Sequence, residues 1–295
     1  MIRFSKYIWL YFFISALVLV PGVFALVRWG LKPAIDFTGG TLLELQFASD
    51  IPASAIEIIG KNEQMPIASV QKTEGNTFIV RMNPEGSEQI AKFQSSLAQA
   101  TKEMPQVLRN ETVGPVLGKE LLGKTVIAAL VAIIGILLYV AWAFKNYKFG
   151  LSAVLALAHD LSVVLGMFAL FGHFLNIEVD TLFVTAVLTT MSFSVHDTIV
   201  VFDRIREMLK RADRSAGADF DALCDRALTQ TMGRSLANSL TIIFMLVAIA
   251  LLGGTTIRWF VVALLIGTVS GTYSSPFIAT PILILWDRWE KRKKI

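Results

Sequence analysis

Six apolar runs along the chain are long enough to cross a bilayer, which takes about 20 residues of helix. They cover residues 8–27, 125–144, 149–171, 181–202, 235–252 and 259–286. Between the first and second runs the pattern changes. Residues 41–47, 68–73 and 77–82 alternate apolar and polar, the period of a strand. The composition of 74–76, Glu-Gly-Asn, suits a hairpin turn between the last two. Residues 53–62, after Pro52, and 86–101 read as helices, and 109–116 as a final strand. The order β-α-β-β-α-β predicts a ferredoxin-like α+β sandwich. The fold class expected is therefore an α-helical polytopic membrane protein of six transmembrane helices with a small α+β domain outside the membrane. The corresponding segments are 1–29 (first span), 30–123 (external domain), 124–202 (spans two to four), 203–233 (a charged loop) and 234–295 (spans five and six with a basic tail).

The first run follows Arg3 and Lys6, as a signal peptide does. It exceeds the usual signal core of about 7–15 residues, and no small-residue cleavage site follows, so it reads as an uncleaved anchor. Lys and Arg in short loops set the orientation. Arg3 and Lys6, then Lys145 and Lys148, then Arg204, Arg206, Lys210, Arg211 and Arg214, and finally Arg288, Lys291, Arg292, Lys293 and Lys294 all fall on one side if both termini are cytoplasmic. The loop 172–180 has no Lys or Arg, and the loop before the last run has only Arg258.

Composition agrees. The chain is 54% hydrophobic and 17% charged, with a mean hydropathy of +0.60, too apolar for a soluble domain of this size. The net charge of +4 is accounted for by the topology blocks. No basic stripe with interleaved aromatics is present, so nucleic acid is not an expected partner. The single cysteine, Cys224, excludes an internal disulfide and a CxxC metal motif.

Ionisable groups inside the apolar runs are few: His159 and Asp160 in the third, His196 and Asp197 in the fourth, and Arg234 at the start of the fifth. Each costs about 2.5–3.5 kcal/mol to insert and needs a partner or a wet cavity. At about 1.5 Å of rise per residue, Asp160 lies about 16 Å from the inner surface and Asp197 about 8 Å. Asp197 and Arg234 share a depth and read as partners, with Asp160 above them. Thr190, Ser194 and Asp197 fall on one helical face. If Arg234 holds Asp197 charged and a conformational change separates them, the carboxylate can take up a proton. A single charge crossing the field carries about 2.3 kcal/mol per 100 mV. Neighbouring residues on a helix point about 100° apart, so the two His-Asp dipeptides do not chelate, and no HExxH motif is present. His159 and His196 read as hydrogen-bonding members of the polar core and as relays. In the sixth run Gly267, Gly271 and Ser275 form a small-residue face suited to close helix packing, and Pro276 and Pro281 predict a kink. No nucleophile elbow, P-loop or nucleotide-binding glycine pattern is found, so neither an enzyme nor a cofactor is expected.

Four blocks carry a resemblance. They are Asp36-Phe37-Thr38-Gly39-Gly40-Thr41, Val113-Gly114-Pro115-Val116-Leu117-Gly118-Lys119-Glu120-Leu121, the run from Asp197 to Glu207 (DTIVVFDRIRE), and Gly271-Thr272-Tyr273-Ser274-Ser275. In these blocks and in their order the chain resembles the SecD/SecF family of RND-like export proteins over nearly its whole length. His196 stands where many members have Asn, and Ala34 where the opening motif usually has Gly. The resemblance implies a half-sized RND-type bundle in the bacterial inner membrane that pairs with SecD near the SecYEG channel, with YajC and membrane lipid around it. The implied activity is proton-driven help to unfolded chains late in export, with Asp197 and Arg234 as the functional pair. Two other readings remain at this point: an RND-like transporter of lipids or small molecules, and a purely structural scaffold. An external domain of about 90 residues is small for a porter domain with a large apolar pocket.

Overall fold

The computed structural model describes residues 3–73, 75–144, 146–212 and 219–293. Glu74 of the expected turn, and Lys145, Arg214 and Lys294 of the charge blocks, lie outside the described residues. The chain divides into two units, Met1–Lys32 with Ala128–Ile295, and Pro33–Ile127.

The second unit opens with a short helix α2 (Ile35–Thr38), followed by β1 (Gly40–Gln46), α3 (Ala53–Asn62), β2 (Ile67–Lys72), β3 (Thr77–Met82), α4 (Ser87–Thr101) and β4 (Gln106–Val113). The sheet order is β2-β3-β1-β4 with every neighbouring pair antiparallel, the split β-α-β arrangement expected. Period-2 alternation sends Leu43, Leu45, Phe78, Val80 and Met82 to one face. There they pack on Ile56 of α3 and on Ile90, Phe93 and Leu97 of α4, whose spacing of three, four and seven makes one apolar stripe.

The family blocks at Gly39 and Gly114 to Gly118 meet within this unit. Gly39 caps α2 with φ +76°, and a Cβ on it would lie 2.7 Å from Pro115 Cα. A Cβ on Gly118 would lie 2.8 Å from the Gly39 nitrogen. Only glycine fits either place, one for its positive φ and both for backbone contact. Ala34 has φ −76° and ψ 174°, extended geometry that needs no glycine. The last strand ends at Val113 rather than at residue 116, because Pro115 occupies the first helical position of the next helix, α5 (Pro115–Ala143), where a missing N–H costs nothing.

The other unit holds α1 (Ile8–Arg28), most of α5 (Pro115–Ala143), α6 (Tyr147–Leu175), α7 (Thr181–Ala212), α8 (Phe220–Leu252), and a sixth span made of α9 (Thr255–Ser274), a π-helical turn (Ser275–Ala279) and α10 (Thr280–Lys293). Six helices among the described residues are long and apolar enough to cross a membrane, so the chain is a multi-pass membrane protein. α1, α5 and α8 are apolar and mostly exposed, whereas α6, α7 and the sixth span are about half buried and make the centre. Helices that are apolar all round belong in lipid.

Several helices extend beyond the apolar runs. α5 starts ten residues before 125, in a polar stretch supported by the Glu120–Lys124 ion pair at 2.7 Å. α7 continues to Ala212, and α8 begins at Phe220, so much of the segment read as a loop is helix. Cys224 and Leu228 of that stretch are buried in the bundle core. Where Pro276 and Pro281 predicted a kink, the helix carries the π-turn, and Thr280 Oγ1 donates to the Ser275 carbonyl at 3.1 Å.

Candidate functional site

Two polar sites in the bundle are built on the carboxylates singled out from the sequence. The first surrounds Asp160, which is 4% exposed and near the middle of α6. Its Oδ1 accepts from Ser270 Oγ at 2.6 Å and lies 3.0 Å from His159 Nδ1. Its Oδ2 accepts from Ser194 Oγ at 2.5 Å and Ser274 Oγ at 2.6 Å. A carboxylate has about four lone-pair sites, and here all four are filled. Hydroxyls from α7 and α9 thus converge on one α6 carboxylate. The His159 ring continues the network, its Nε2 hydrogen-bonding Ser15 Oγ of α1. With Nδ1 as the donor toward Asp160, Nε2 of the neutral ring accepts the Ser15 hydroxyl; this tautomer is assigned from the bonding pattern. Tyr273 of α9 lies beside the ring, 6.4 Å between centroids, and its hydroxyl donates to the Tyr11 carbonyl at 2.7 Å.

The approach of α9 that makes this possible depends on its small residues. Any Cβ on Gly267 would overlap the Thr190 side chain, and a Cβ on Gly271 would lie 3.1 Å from Ser194 Cβ. Ser275 Oγ pairs with Thr198 Oγ1 at 2.9 Å. The face of Gly267, Gly271 and Ser275 read from the sequence therefore lies against Thr190, Ser194 and Thr198 of α7. α1 makes a similar contact: a Cβ on Gly166 of α6 would stand 2.7 Å from Gly22 Cα.

The second site lies three residues after Ser194, nearly one helical turn. Asp197 is partly buried, and its Oδ2 accepts from Ser235 Oγ of α8 at 3.0 Å. It lines a cleft of about 20 Å³ with Ser194, His196, Asn238, Thr268 and Thr272. That is room for about one water.

The expected Asp197–Arg234 pairing is not formed. Arg234 is exposed and, among the described residues, makes no ion pair with Asp197. Arg234 and Ser235 point about 100° apart on α8, so turning Ser235 toward α7 turns Arg234 away. His196 is exposed. It also lines a groove of about 360 Å³ between α5 and α7, with Tyr139 and Ser192.

Of the residues singled out from sequence, Asp160 and His159 share one network, and Asp197 and His196 share one cleft. The sequence reading does not single out Ser15 or Ser270, and Ser274 enters it only within the Gly271–Ser275 block. Ser270 and Ser274 carried a signal, four residues apart on one helical face, but in a stretch dominated by the packing glycines.

The SecD/SecF C-terminal family model, described as a protein export membrane protein, matches residues 92–289, and the SecD/SecF GG motif matches residues 25–51. The protein translocase subunit SecF of Anaerolinea thermophila is 38% identical over 96% of this chain and 94% of its own length. That of Thermobaculum terrenum is 39% identical over 97% of this chain and 94% of its own. The crystal structure of SecDF, a translocon-associated membrane protein from Thermus thermophilus, covers 97% of this chain with a TM-score of 0.85 at 30% identity, and the match spans 39% of that longer chain. With matching blocks, topology and fold over nearly its full length, the chain belongs to the SecD/SecF family of protein-export membrane proteins.

Proposed function

We propose that this chain acts as the SecF-type subunit of a bacterial Sec export machine, using proton flow through its bundle to promote late steps in moving unfolded chains across the inner membrane. The observation that carries the proton part is the placement of two carboxylates on adjacent central helices. Asp160 is dehydrated among hydroxyls, and Asp197 opens on a small polar cleft. Buried ionisable groups in a bundle are costly and are kept where charge is moved or paired. On this reading the exposed Arg234 and Asp197, which here bonds Ser235, pair in another state of the bundle. Their approach and separation would give the carboxylate two environments and the proton a way on and off.

A SecD-type half is the partner this reading requires. Its support is that relatives named protein translocase subunit SecDF, from Thermus thermophilus and Bacillus subtilis, align with this chain over 36% and 38% of their length. The exposed polar edge of α7 at Ser192 and His196 offers a surface for such a half. SecYEG and YajC remain further partners by family resemblance, and the charge blocks favour cytoplasmic termini.

The test is export of a presecretory protein in inverted vesicles containing this chain and its SecD partner, with and without a proton gradient. Asp197→Asn, at normal accumulation and normal SecD binding, is expected to lose the gradient-dependent part. Unchanged gradient-dependent export in that variant overturns the proton role.

A further inference from the structure

We infer that Ser194, Ser270 and Ser274 are positioning residues for an ionised Asp160, and that the proton state of this carboxylate sets how tightly the sixth span is held at its π-turn. The inference deepens the proton-coupling reading above and rests on it.

Asp160 is tied to three serines on two other helices, and two of those serines belong to the sixth span. Every partner of the carboxylate is a donor. This is the arrangement an anion requires, and a neutral acid would use it poorly. Hydrogen bonds to an ionised acceptor are roughly twice as strong as neutral ones. Protonation of Asp160 therefore weakens all three serine bonds together, and the sixth span, holding two of them, loses most.

The surroundings leave one way for the proton to arrive. Among the described residues, α1, α7 and α9 hydrogen-bond to Asp160 and His159 through hydroxyls alone: Ser15, Ser194, Ser270 and Ser274. The next titratable group on α7, Asp197, is bonded instead to Ser235, and Tyr273 donates to the Tyr11 carbonyl. Among the described residues His159 is the one titratable side chain in contact with Asp160. A proton taken up at Nε2, the ring nitrogen that faces Ser15, lets Nδ1 pass its own proton to Oδ1. The ring ends as the other neutral tautomer, donating to Ser15 and accepting from the new carboxylic acid. One proton enters and none is left over.

The response has a place in the chain. Ser274 is the last residue of α9, and the next five residues form the π-turn. π-turns carry one residue too many for the α register and recur at functional sites. Here the turn is stitched by Ser275 to Thr198 and by Thr280 to the Ser275 carbonyl. Loosening Ser270 and Ser274 frees the segment on the α9 side of this turn, while α10 remains tied by Lys148 to Glu290 at 2.5 Å.

Hydrogen exchange followed by mass spectrometry, on the full chain in lipid nanodiscs, reads this directly. Protection of peptides covering 270–284 is expected to be about tenfold lower in Asp160→Asn, whose side chain is neutral, than in the wild type at about pH 7.5. Ser270→Ala combined with Ser274→Ala should weaken protection at the same pH without unfolding the bundle, as judged by unchanged protection of α1. The proposal falls if wild type and Asp160→Asn show the same protection. It also falls if the double serine variant matches wild type. Either result leaves the export test of Asp197→Asn standing by itself.

Discussion

Ser235 Oγ donates to Asp197 Oδ2 at 3.0 Å, so that the residue next to the expected partner, and not Arg234 itself, holds the fourth-span carboxylate. The bond gives the site a graded test. A net hydrogen bond contributes about 0.5–1.5 kcal/mol. Ser235→Ala should therefore reduce gradient-dependent export a few-fold, while Asp197→Asn abolishes the gradient-dependent part. Vesicle export assays at matched protein levels measure both. Equal and complete loss in the two variants would mean that Ser235 does more than orient the carboxylate.

The α7–α9 contact predicts a compensating pair. Gly267→Ala drives a Cβ into the Thr190 side chain and should lower the detergent-solubilised protein's stability by about 1–3 kcal/mol. Thr190→Ala costs less, and the double variant should recover most of the Gly267→Ala loss, a coupling that a thermal-unfolding double-mutant cycle resolves.

At the α1–α6 contact the neighbour is backbone, which cannot turn away. A Cβ on Gly166 lies 2.7 Å from Gly22 Cα, and one on Gly22 lies 3.1 Å from Gly166 Cα. Gly166→Ala should be the more damaging change. It should also lower proton-dependent activity, because moving α1 carries Ser15 away from His159.

In the smaller unit, Gly39 and Gly75 separate conformational strain from crowding. Both have positive φ, +76° and +59°. A Cβ at Gly75 meets nothing within 4 Å, whereas one at Gly39 meets Pro115. Gly75→Ala should cost about 1 kcal/mol, and Gly39→Ala clearly more. Limited proteolysis of the folded chain, read at sites within residues 33–127, ranks them.

The same unit should weaken in acid. The backbone N–H of Ala48, with Ser49, holds the Glu103 carboxyl below its usual range, and the Lys92 ammonium, with Ser96, does the same for Glu63. A carboxyl depressed on folding contributes stability above its unfolded value, about 4.3 for Glu, and loses it as pH falls through the folded value. Protection of β1 and α4 against exchange should therefore be flat from neutral pH down to that range and then decline. Glu103→Gln should start lower and decline less.

How much of this was legible in advance varied from one feature to the next. The β-α-β-β-α-β order and the bounds of α3 and β3 followed from alternation and helical spacing, because the apolar positions of these elements share one core. The six spans followed from run length alone. In contrast, α8 was read as starting near Arg234, since its first turns are polar, and only their packing on the core shows that they continue the helix. Of the serines around Asp160, Ser194 stands out on the polar face of the fourth span and Ser274 within a family block, but a hydroxyl carries no sign of which group it will face.

The sequence by itself determined how many runs are long enough to cross the membrane, which helix carries each charge, and which family the blocks belong to. Apolar length and residue counting measure position along an axis. The tertiary structure decided rotation about each axis: Ser235 toward Asp197 with Arg234 outward, three serines onto Asp160, Gly22 onto Gly166. In a bilayer the lipid-facing and bundle-facing sides of a helix are both apolar, so hydropathy leaves that rotation undetermined and only side-chain packing and hydrogen-bond satisfaction fix it.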